Sequence, residues 1–450
     1  MVTGSVAATA PRAADRTPTG GLYPWLVVAI LFVGYCFSAI DARVLTLMVG
    51  PIQRDLGLGD FEMGLLQGFA FSIMYSISAL PIGRFVDRTK RRSVLIMWGV
   101  IFWSLMTASC GFAGSFVALF IARIGVGAGE ATLSPTAYSL ISDYFDRARR
   151  ALPISFYAIG YPIGGGLALL IGGYLLGMFT RAGGLHIPGI GQFAPWQAVF
   201  LCVAAPGVLI AALMLLIREP ERRDVTAELS REATLRDAGS YLWKRKLVFG
   251  SLIGSLGLIA LLAIGTSLWF PTFLIRTYGM TPAQVGASYG TVMLVCGTIG
   301  TLCGGWLSVR LMRSGRSDAN MRIVLVSTVL KGLPLILAPL MPNMTLSLVL
   351  MGIGTLIGQA SQGVMLAALQ DVTPNQLRGQ VTAIALLIVN LLGMGLGAAV
   401  IAAITEFGFG DQSALRYSIA ITGAVTLPLI LAMLAIALPD YRREVERLSA

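Results

Sequence analysis

The segment PIGRFVDRTKRR, residues 81–92, separates two long apolar stretches at residues 61–86 and 92–113. It carries five basic side chains and one acidic side chain, Asp87. A transmembrane helix needs about 20 mostly apolar residues, and both stretches reach that length. A short basic segment between two such stretches indicates two membrane helices joined by a loop on the cytoplasmic side.

The alternation of long apolar stretches and short polar loops continues along the whole chain. The chain is 56% hydrophobic and only 12% charged, which is too apolar for a soluble globular protein. We therefore expect an all-α membrane protein with twelve transmembrane helices. The predicted spans, numbered 1 to 12 in chain order, are 22–50, 61–86, 92–113, 115–142, 150–178, 196–217, 247–275, 282–309, 321–341, 344–370, 378–405 and 414–438.

The basic side chains fix an expected orientation. If both termini are cytoplasmic, 26 of the 33 Lys and Arg residues fall on the cytoplasmic side, four on the other side and three inside spans. This bias predicts a multi-pass protein of the inner (plasma) membrane with both termini in the cytoplasm. The net charge of +11 is then explained by topology, so we expect no nucleic-acid partner.

Few residues suggest catalysis or metal binding. The only histidine, His186, lies in a loop, and the five cysteines fall inside spans without metal-ligand spacing. No nucleophile–base set and no phosphate-binding loop is visible. We therefore predict that the protein is not an enzyme and has no metal and no cofactor.

The predicted spans divide into two groups of six. Residues 1–21 lack an apolar core, so we expect a disordered cytoplasmic lead and not a signal peptide. The predicted units that follow are a bundle at 22–217, a charged cytoplasmic linker with short amphipathic helices at 218–246, a second bundle at 247–438 and a tail at 439–450. GRFVDR after span 2 has a degraded counterpart, GWLSVR (305–310), after span 8. Two related six-span halves are typical of secondary transporters.

Segment 81–92 resembles the signature loop of the major facilitator superfamily, which has a glycine, three residues, Asp-Arg and a basic cluster. The resemblance implies two pseudo-symmetric six-helix bundles around a cavity at mid-membrane depth. It also implies a latch that closes the cytoplasmic side, with a tight turn at Gly83. In this latch Asp87 would meet basic residues of the span 4–5 loop or the start of span 11. The alternative is a basic loop that only sets topology. The residues of the predicted latch are Gly83, Asp87, Arg88, Arg147, Arg149, Arg150, Arg378 and Gly379.

Three further segments resemble the bacterial spinster-type transporters of sphingolipids and lysolipids. They are GPIQRDLGL (50–58), GLLQG (64–68) and RIGVGAGE (123–130), which Ser134-Pro135 follows. That family also has an acid late in span 1, here Asp41, but an Arg follows it directly. In this chain Ala42 intervenes, which turns Arg43 by about 100° around the helix and leaves its family role open.

The spinster-type resemblance implies a proton-coupled transporter of an amphipathic lipid or lysolipid, acting by alternating access. A transporter of small organic anions is the alternative, because the anion symporter branch also uses membrane-embedded arginine. A non-coupled carrier, a channel or a receptor of the same fold is a further alternative. The expected partners are membrane lipids, protons and the substrate, with the protein acting as a monomer.

Five charged residues lie deep inside predicted spans: Asp41, Arg43, Arg123, Glu130 and Lys331. Each such charge costs about 3 kcal/mol on insertion scales. Arg123 and Glu130 are two helical turns apart on one face of span 4, and Asp41 lies at a depth similar to that of Arg123. We hypothesise that the two carboxyl groups compete for Arg123 and for a proton. The alternative is a static charge pair that fixes helix packing.

We expect the polar head of the substrate near Arg123 and the rest of the substrate toward the second half. The alternative is that the polar side chains of the second-half spans only form hydrogen bonds between helices. Lys331, three residues before Pro334, could instead extend to the membrane interface or bond a carbonyl freed by the proline. The predicted substrate-binding residues are Arg123, Arg43, Ser134, Thr266, Trp269, Phe270, Gln359, Gln362 and Asn390.

Overall fold

The computed structural model describes residues 21–146, 149–189, 191–222, 235–312, 319–374 and 376–449. Within these ranges, twelve helical segments are long and apolar enough to cross a membrane, which confirms the predicted fold class. The twelve spans are Leu22–Leu47, Asp60–Gly83, Arg92–Gly111, Phe116–Tyr144, Ala151–Ala182, Pro195–Met214, Lys246–Tyr278, Pro282–Gly304, Asn320–Leu340, Met344–Asp371, Arg378–Phe409 and Gln412–Leu448.

Most spans are a single α-helix, but several contain a break or a change of helix type. The α-helices within the spans are Leu22–Val44, Asp60–Gly64, Ala70–Arg88, Arg92–Gly111, Phe116–Glu130, Leu133–Tyr144, Ala151–Ala182, Pro195–Ala204, Gly207–Met214, Lys246–Tyr278, Pro282–Met312, Ala319–Leu337, Met344–Asp371, Arg378–Asn390, Gly397–Ala403 and Leu415–Ser449. Spans 1, 9 and 12 include the short 3₁₀ turns Leu45–Leu47, Ala338–Leu340 and Gln412–Ala414.

Smaller elements lie outside the spans. A short helix, Val49–Leu56, follows span 1, and the helix Leu235–Lys244 lies in the segment where short amphipathic helices are predicted. Between spans 5 and 6 an antiparallel hairpin pairs strand Leu185–Ile187 with strand Gly191–Phe193. We call the membrane side with this hairpin the hairpin face. The opposite side, where span 1 begins and span 12 ends, is the terminal face.

Span 4 is interrupted at Ala131 and Thr132, between its two helices. Pro135 lies four residues after Ala131, has no N–H to donate, and its ring crowds the carbonyl of that residue. The Thr132 N–H instead donates to the Gly129 carbonyl at 3.2 Å. The interruption makes Glu130 the last residue of its helix.

The segment that joins spans 2 and 3 differs from the prediction at Gly83. The predicted tight turn there is wrong, because Gly83 is inside the helix Ala70–Arg88 and the chain turns at Thr89. In an apolar setting the backbone stays hydrogen-bonded as a helix for as long as possible, and a glycine alone does not end it. The side chain of Asp87 lies outside the described residues.

Span 11 ends in a π-helical turn, Ile404–Phe409. Spans 2 and 11 also contain the π-helical turns Leu65–Phe69 and Leu391–Leu396. The two turns face each other in the middle of the protein. A Cβ atom added to Gly68 would lie 2.1 Å from the Met394 carbonyl oxygen, and one added to Gly64 would lie 2.9 Å from the Ala398 carbonyl oxygen. Small residues thus let the two halves pack backbone against backbone along this line.

The terminal face is held together by charged contacts within each half. Arg92, with 2% of its side chain exposed, forms ion pairs with Asp143 of span 4 at 2.5 Å and with Glu219 after span 6 at 3.3 Å. In the second half, the Tyr241 hydroxyl donates to Glu444 at 2.9 Å. The pKa of Tyr241 is raised to about 12, mainly by burial and to a smaller extent by this contact with Glu444.

Candidate functional site

Asp41 is fully buried on span 1 and faces spans 3 and 4. The Thr107 hydroxyl lies 2.8 Å from both of its carboxyl oxygens. Arg123, also fully buried, binds the backbone of span 1: its Nη1 donates to the Asp41 carbonyl at 3.2 Å and its Nη2 to the Ala42 carbonyl at 3.4 Å. In this conformation Arg123 is therefore tied to the main chain of span 1, directly before Arg43.

Glu130, with 3% exposure, lies beside the same helix. Its Oε2 accepts a hydrogen bond from Ser38, which is one turn before Asp41 on the same face of span 1. Its Oε1 has no hydrogen-bond partner among the described residues. Ser38 lies one turn from Asp41, whose carbonyl binds Arg123, so all three charged residues meet along one stretch of span 1. We call Asp41, Arg123 and Glu130 the buried charge cluster.

Arg43 faces away from this cluster, toward the second half. Its Nη1 donates to the Ser267 hydroxyl of span 7 at 2.8 Å, and Ser267 lies 3.2 Å from the Tyr289 hydroxyl. The Arg43 guanidinium carbon is 5.6 Å from the centre of the Tyr161 ring, within the range of a cation–π interaction. Arg43 thus connects the two halves near the end of span 1.

A narrow cavity of about 10 Å³, which is room for a single water molecule, lies between the halves at Arg43. Its walls are mainly apolar and aromatic, with two strongly polar side chains. The side chains that line it are Ala42, Arg43, Gln67, Phe71, Tyr161, Ile264, Leu268 and Met394. In this conformation the cavity is too small to hold a substrate, because ligand pockets usually measure about 300 Å³ or more; its lining places one guanidinium and one amide among apolar and aromatic side chains.

The hairpin face is closed by polar contacts between the halves. Arg276 at the end of span 7 forms a two-point ion pair with Asp60 at the start of span 2, with N–O distances of 2.8 and 2.7 Å. Gln53 bonds to both partners, at 2.8 Å to Asp60 and 3.0 Å to Arg276. Glu406 of span 11 also accepts from the Phe61 N–H at 2.8 Å. These contacts hold spans 2, 7 and 11 together at this face.

Several predicted substrate-binding residues lie elsewhere in the structure. Trp269 and Phe270 are fully buried in the packing of the second half, and the Trp269 indole N–H donates to the Ala398 carbonyl at 2.8 Å. Thr266 is also fully buried, whereas Ile264 and Leu268 of the same helix line the cavity. Span 7 is apolar on all sides, so its sequence does not show which face is inward.

The three remaining predicted substrate-binding residues whose side chains are described lie in three different positions. Ser134 hydrogen-bonds with the Tyr157 hydroxyl at 3.3 Å. Gln359 is partly buried, with its Cβ 3.0 Å from the position a Cβ on Gly300 would take. Asn390 is partly buried at the start of the π turn of span 11. The side chain of Gln362 lies outside the described residues.

The predicted latch is described only in part. Arg147 and the side chain of Asp87 lie outside the described residues, and the helix of span 2 ends at Arg88. The Arg150 Nε donates to the Phe145 carbonyl at 3.0 Å, and the Arg149 N–H donates to the Asp146 carbonyl at 2.8 Å. Arg378 donates to the carbonyls of Gln370 and Thr373. Arg378 thus caps the end of span 10, which is the role that a basic side chain takes at a helix C-terminus.

Lys331 is 5% exposed in span 9 and its side chain runs past Gly358 of span 10, its Cδ 4.0 Å from the position of an added Cβ. It does not reach the cavity at Arg43.

Sequence reasoning missed the partners that organise the site. Ser38 and Thr107 are hydroxyl residues of common type, and Asp60 and Arg276 are 216 residues apart. A signal for Ser38 existed, because it precedes Asp41 by three residues and so shares its helix face. Gln67 is part of GLLQG, but nothing in that segment indicates that its side chain reaches the cavity.

The comparisons with known proteins agree with this architecture. The sequence profile of the Major Facilitator Superfamily matches residues 31–398. An MFS-type efflux pump of Mycolicibacterium smegmatis is 27% identical over 376 residues, 82% of each chain. A probable L-galactonate transporter of Escherichia coli is 26% identical over 66% of this chain and 64% of its own length. A sphingosine-1-phosphate transporter of Danio rerio is 26% identical over 68% of this chain and 60% of its own length.

Among solved structures, a bacterial homologue of the human lysosomal transporter Spinster, crystallised in an inward-facing and unoccupied conformation, is similar over almost the whole chain. The TM-score is 0.75 at 26% identity, covering 97% of this chain and 98% of the other. The chain therefore belongs to the major facilitator superfamily. It is a multi-pass membrane transporter with spinster-like relatives, and not an enzyme.

Proposed function

We propose that this major facilitator superfamily protein is a proton-coupled secondary transporter of an amphipathic substrate with an anionic head. The head would bind at Arg43, and the proton would bind within the buried charge cluster. The observation that carries the proposal is the arrangement of span 1, which joins the two sites through three consecutive residues. Asp41 and Ala42 bind Arg123 through their carbonyls, and Arg43 enters the cavity next to them.

The buried charge cluster supports the proton site. One Glu130 oxygen has no partner at 3% exposure, and a buried carboxylate without full hydrogen bonding is costly. A proton bound at Oε1 would remove that uncompensated charge. Arg123, which now binds carbonyls, could then turn toward Asp41 or Glu130 when either one is charged. This movement of the Arg123 guanidinium would free the carbonyls of Asp41 and Ala42 and would shift Arg43, which follows them on span 1.

The closed hairpin face supports alternating access. With the predicted orientation, the Asp60–Arg276 ion pair closes the outer side, so this conformation would face inward. We also propose, from the charge bias, that the protein lies in the inner membrane with cytoplasmic termini and works as a monomer.

The lining of the cavity favours a lipid-like or lysolipid substrate, because all but two of its side chains are apolar or aromatic; the cavity of about 10 Å³ would have to widen as the halves move apart before such a substrate could enter. A small organic anion is the second candidate. It is favoured by the similarity to the probable L-galactonate transporter, since a sugar acid would also need an arginine for its carboxylate.

The proton role is tested by uptake into proteoliposomes with an imposed pH gradient. We expect Glu130→Gln to abolish accumulation driven by the gradient while substrate exchange without a gradient continues. Asp41→Asn should lower accumulation in the same assay. Glu446→Gln, an exposed acid near the C-terminus, is the matched control and should behave as wild type. Full proton-driven uptake by both cluster variants would show that the carboxyl groups are structural and that the coupling proposal is wrong.

A further inference from the structure

Gln67 is a buried amide without partners at the cavity between the two halves. It is 3% exposed, and neither its Nε2 nor its Oε1 has a hydrogen-bond partner among the described residues. Buried polar groups in native proteins are nearly always satisfied, so an amide with two unpartnered atoms needs an explanation. A leucine would fill this position without that cost, which indicates that the amide has a function.

The position of Gln67 directs it toward a ligand. It lies in the π turn Leu65–Phe69, and isolated π turns in helices occur frequently at functional sites. Its neighbours Gly64 and Gly68 pack directly on span 11, so Gln67 is held at the junction of the two halves. Its side chain lines the same cavity as Arg43.

The two polar side chains of the cavity differ in what they can bind. Arg43 offers only donors, and its Nε has no partner. Gln67 offers a donor at Nε2 and an acceptor at Oε1. A bare carboxylate or phosphate accepts hydrogen bonds only, so it would leave the Gln67 oxygen unpartnered. A ligand with a hydroxyl or amine next to its anionic group would satisfy both side chains.

We infer that Gln67 selects substrates that carry a hydrogen-bond donor beside the anionic head. The inference rests on the proposed function, because it takes the anion at Arg43 as given. Two sources supply this chemistry: a lysolipid with a hydroxyl near its phosphate, and a hydroxy acid with a hydroxyl near its carboxylate. The shared feature is an oxyanion with a donor group a few bonds away.

The inference is tested with two matched pairs of probes on the purified full-length protein. One pair is oleoyl lysophosphatidate and its analogue without the free glycerol hydroxyl. The other is D-gluconate and 2-deoxy-D-gluconate. We expect the wild type to bind the hydroxylated member of one pair at least about tenfold more tightly, because a site built around a hydroxyl rejects the analogue that lacks it. The pair that shows this preference identifies the source.

The variant Gln67→Met keeps the side-chain volume and removes the amide. This variant should bind both members of the pair with about equal affinity, because it should lower the affinity for the hydroxylated probe only. Arg43→Ala should weaken both members of the pair equally. Gln192→Met, which removes an exposed amide of the hairpin between spans 5 and 6, is the control and should keep the wild-type preference.

The outcomes separate this inference from the proposed function. Arg43→Ala could lower the affinity while Gln67→Met keeps the wild-type preference for the hydroxylated probe. That result would overturn only the role of Gln67. Equal weakening of both members by Gln67→Met would also overturn it, because that result marks a structural role. Binding of neither pair by the wild type, or binding unaffected by Arg43→Ala, would overturn the proposed anion site and the Gln67 inference together.

Discussion

Asp41 and Arg43 are two residues apart on span 1 and face opposite halves of the protein. Asp41 is bound by Thr107 of span 3, whereas Arg43 is bound by Ser267 of span 7. Each residue turns an α-helix by about 100°. With Ala42 between them, the side chains of Asp41 and Arg43 are therefore about 200° apart around the helix axis. Arg43 thus stands about 100° around the helix from the position directly after Asp41, and from there it reaches Ser267 of the second half.

Replacing Arg43 should remove the binding of anionic substrates. Arg43→Ala deletes the only cation of the cavity lining, and we expect a loss of at least about tenfold in the affinity for oleoyl lysophosphatidate or D-gluconate, since a charged hydrogen bond contributes about 1.5–3 kcal/mol. Arg43→Lys keeps the charge without the planar fork and should give an intermediate affinity. Equilibrium binding to purified protein checks both variants. Arg181→Ala, an exposed arginine on the hairpin face, should bind as wild type, and equal losses in all three would contradict the assignment.

Breaking the Asp60–Arg276 ion pair should open the hairpin face. The Asp60 side chain is 1% exposed and that of Arg276 14%, and removal of one partner of a buried pair costs roughly 3 kcal/mol. Arg276→Ala should therefore shift the population away from this conformation on the order of a hundredfold. Distances between spin labels on the two halves at this face would report the shift.

The matched control for that ion pair is Arg443→Ala, because the Arg443–Asp440 pair is largely exposed and should contribute little. The exchange Asp60→Arg with Arg276→Asp should restore part of the closed population. Spin-label distances identical to wild type in Arg276→Ala would exclude this pair as the closure of the hairpin face.

Gly68→Ala should disturb the contact between spans 2 and 11. Its new methyl group would lie 2.1 Å from the Met394 carbonyl oxygen, so the two backbones must separate. We expect a lower midpoint of thermal unfolding in detergent and a hairpin face that opens more easily.

Gly83→Ala is the control on the same span, because an added Cβ there meets no atom within 4 Å. In a helix interior, alanine is favoured over glycine by up to about 1 kcal/mol, so this variant should unfold at the same temperature or slightly higher. The same fall in midpoint for both variants would mean that close packing at Gly68 is not the cause.

Arg92→Met should destabilise the first half. Arg92 is buried and joins spans 3 and 4 and the segment after span 6 through Asp143 and Glu219. Loss of this cation should lower the free energy of unfolding by roughly 3 kcal/mol, which thermal unfolding in detergent would measure. Lys244→Met removes an exposed cation of the linker helix and should leave the midpoint unchanged. A wild-type midpoint in Arg92→Met would show that the two ion pairs are dispensable.

The spans could be predicted from the sequence because lipid allows few alternatives. Every backbone group in the bilayer must bond internally, so an apolar stretch of sufficient length becomes a helix. Span 3, predicted at 92–113, is the helix Arg92–Gly111, and span 10, predicted at 344–370, is Met344–Asp371. The predicted turn at Gly83 failed for the same reason, since helical hydrogen bonding in an apolar setting outweighs the preference of one glycine.

The details of the site could be predicted only where charge marked them. Asp41, Arg123 and Glu130 are conspicuous in apolar spans, and helix periodicity placed them near one another. Trp269 and Phe270 were assigned to the cavity without such support, because an apolar helix surrounded by lipid and protein has no polar face to orient it. The π turn at Gln67 has no sequence signature, since it differs from an α-helix by a single residue of spacing.

Each of the two facing π turns, Leu65–Phe69 and Leu391–Leu396, adds one residue to its helix beyond what an α-helical path between the same endpoints requires. If such a turn reverts to α-helix or moves along the span, the helix beyond it rotates by about 100° and advances about 1.5 Å, while backbone hydrogen bonding is kept elsewhere. Each half thus carries a spare length of chain at the level where the halves meet. We expect a structure with the hairpin face open to show at least one of these turns shifted or absent, and two unchanged turns would rule this out.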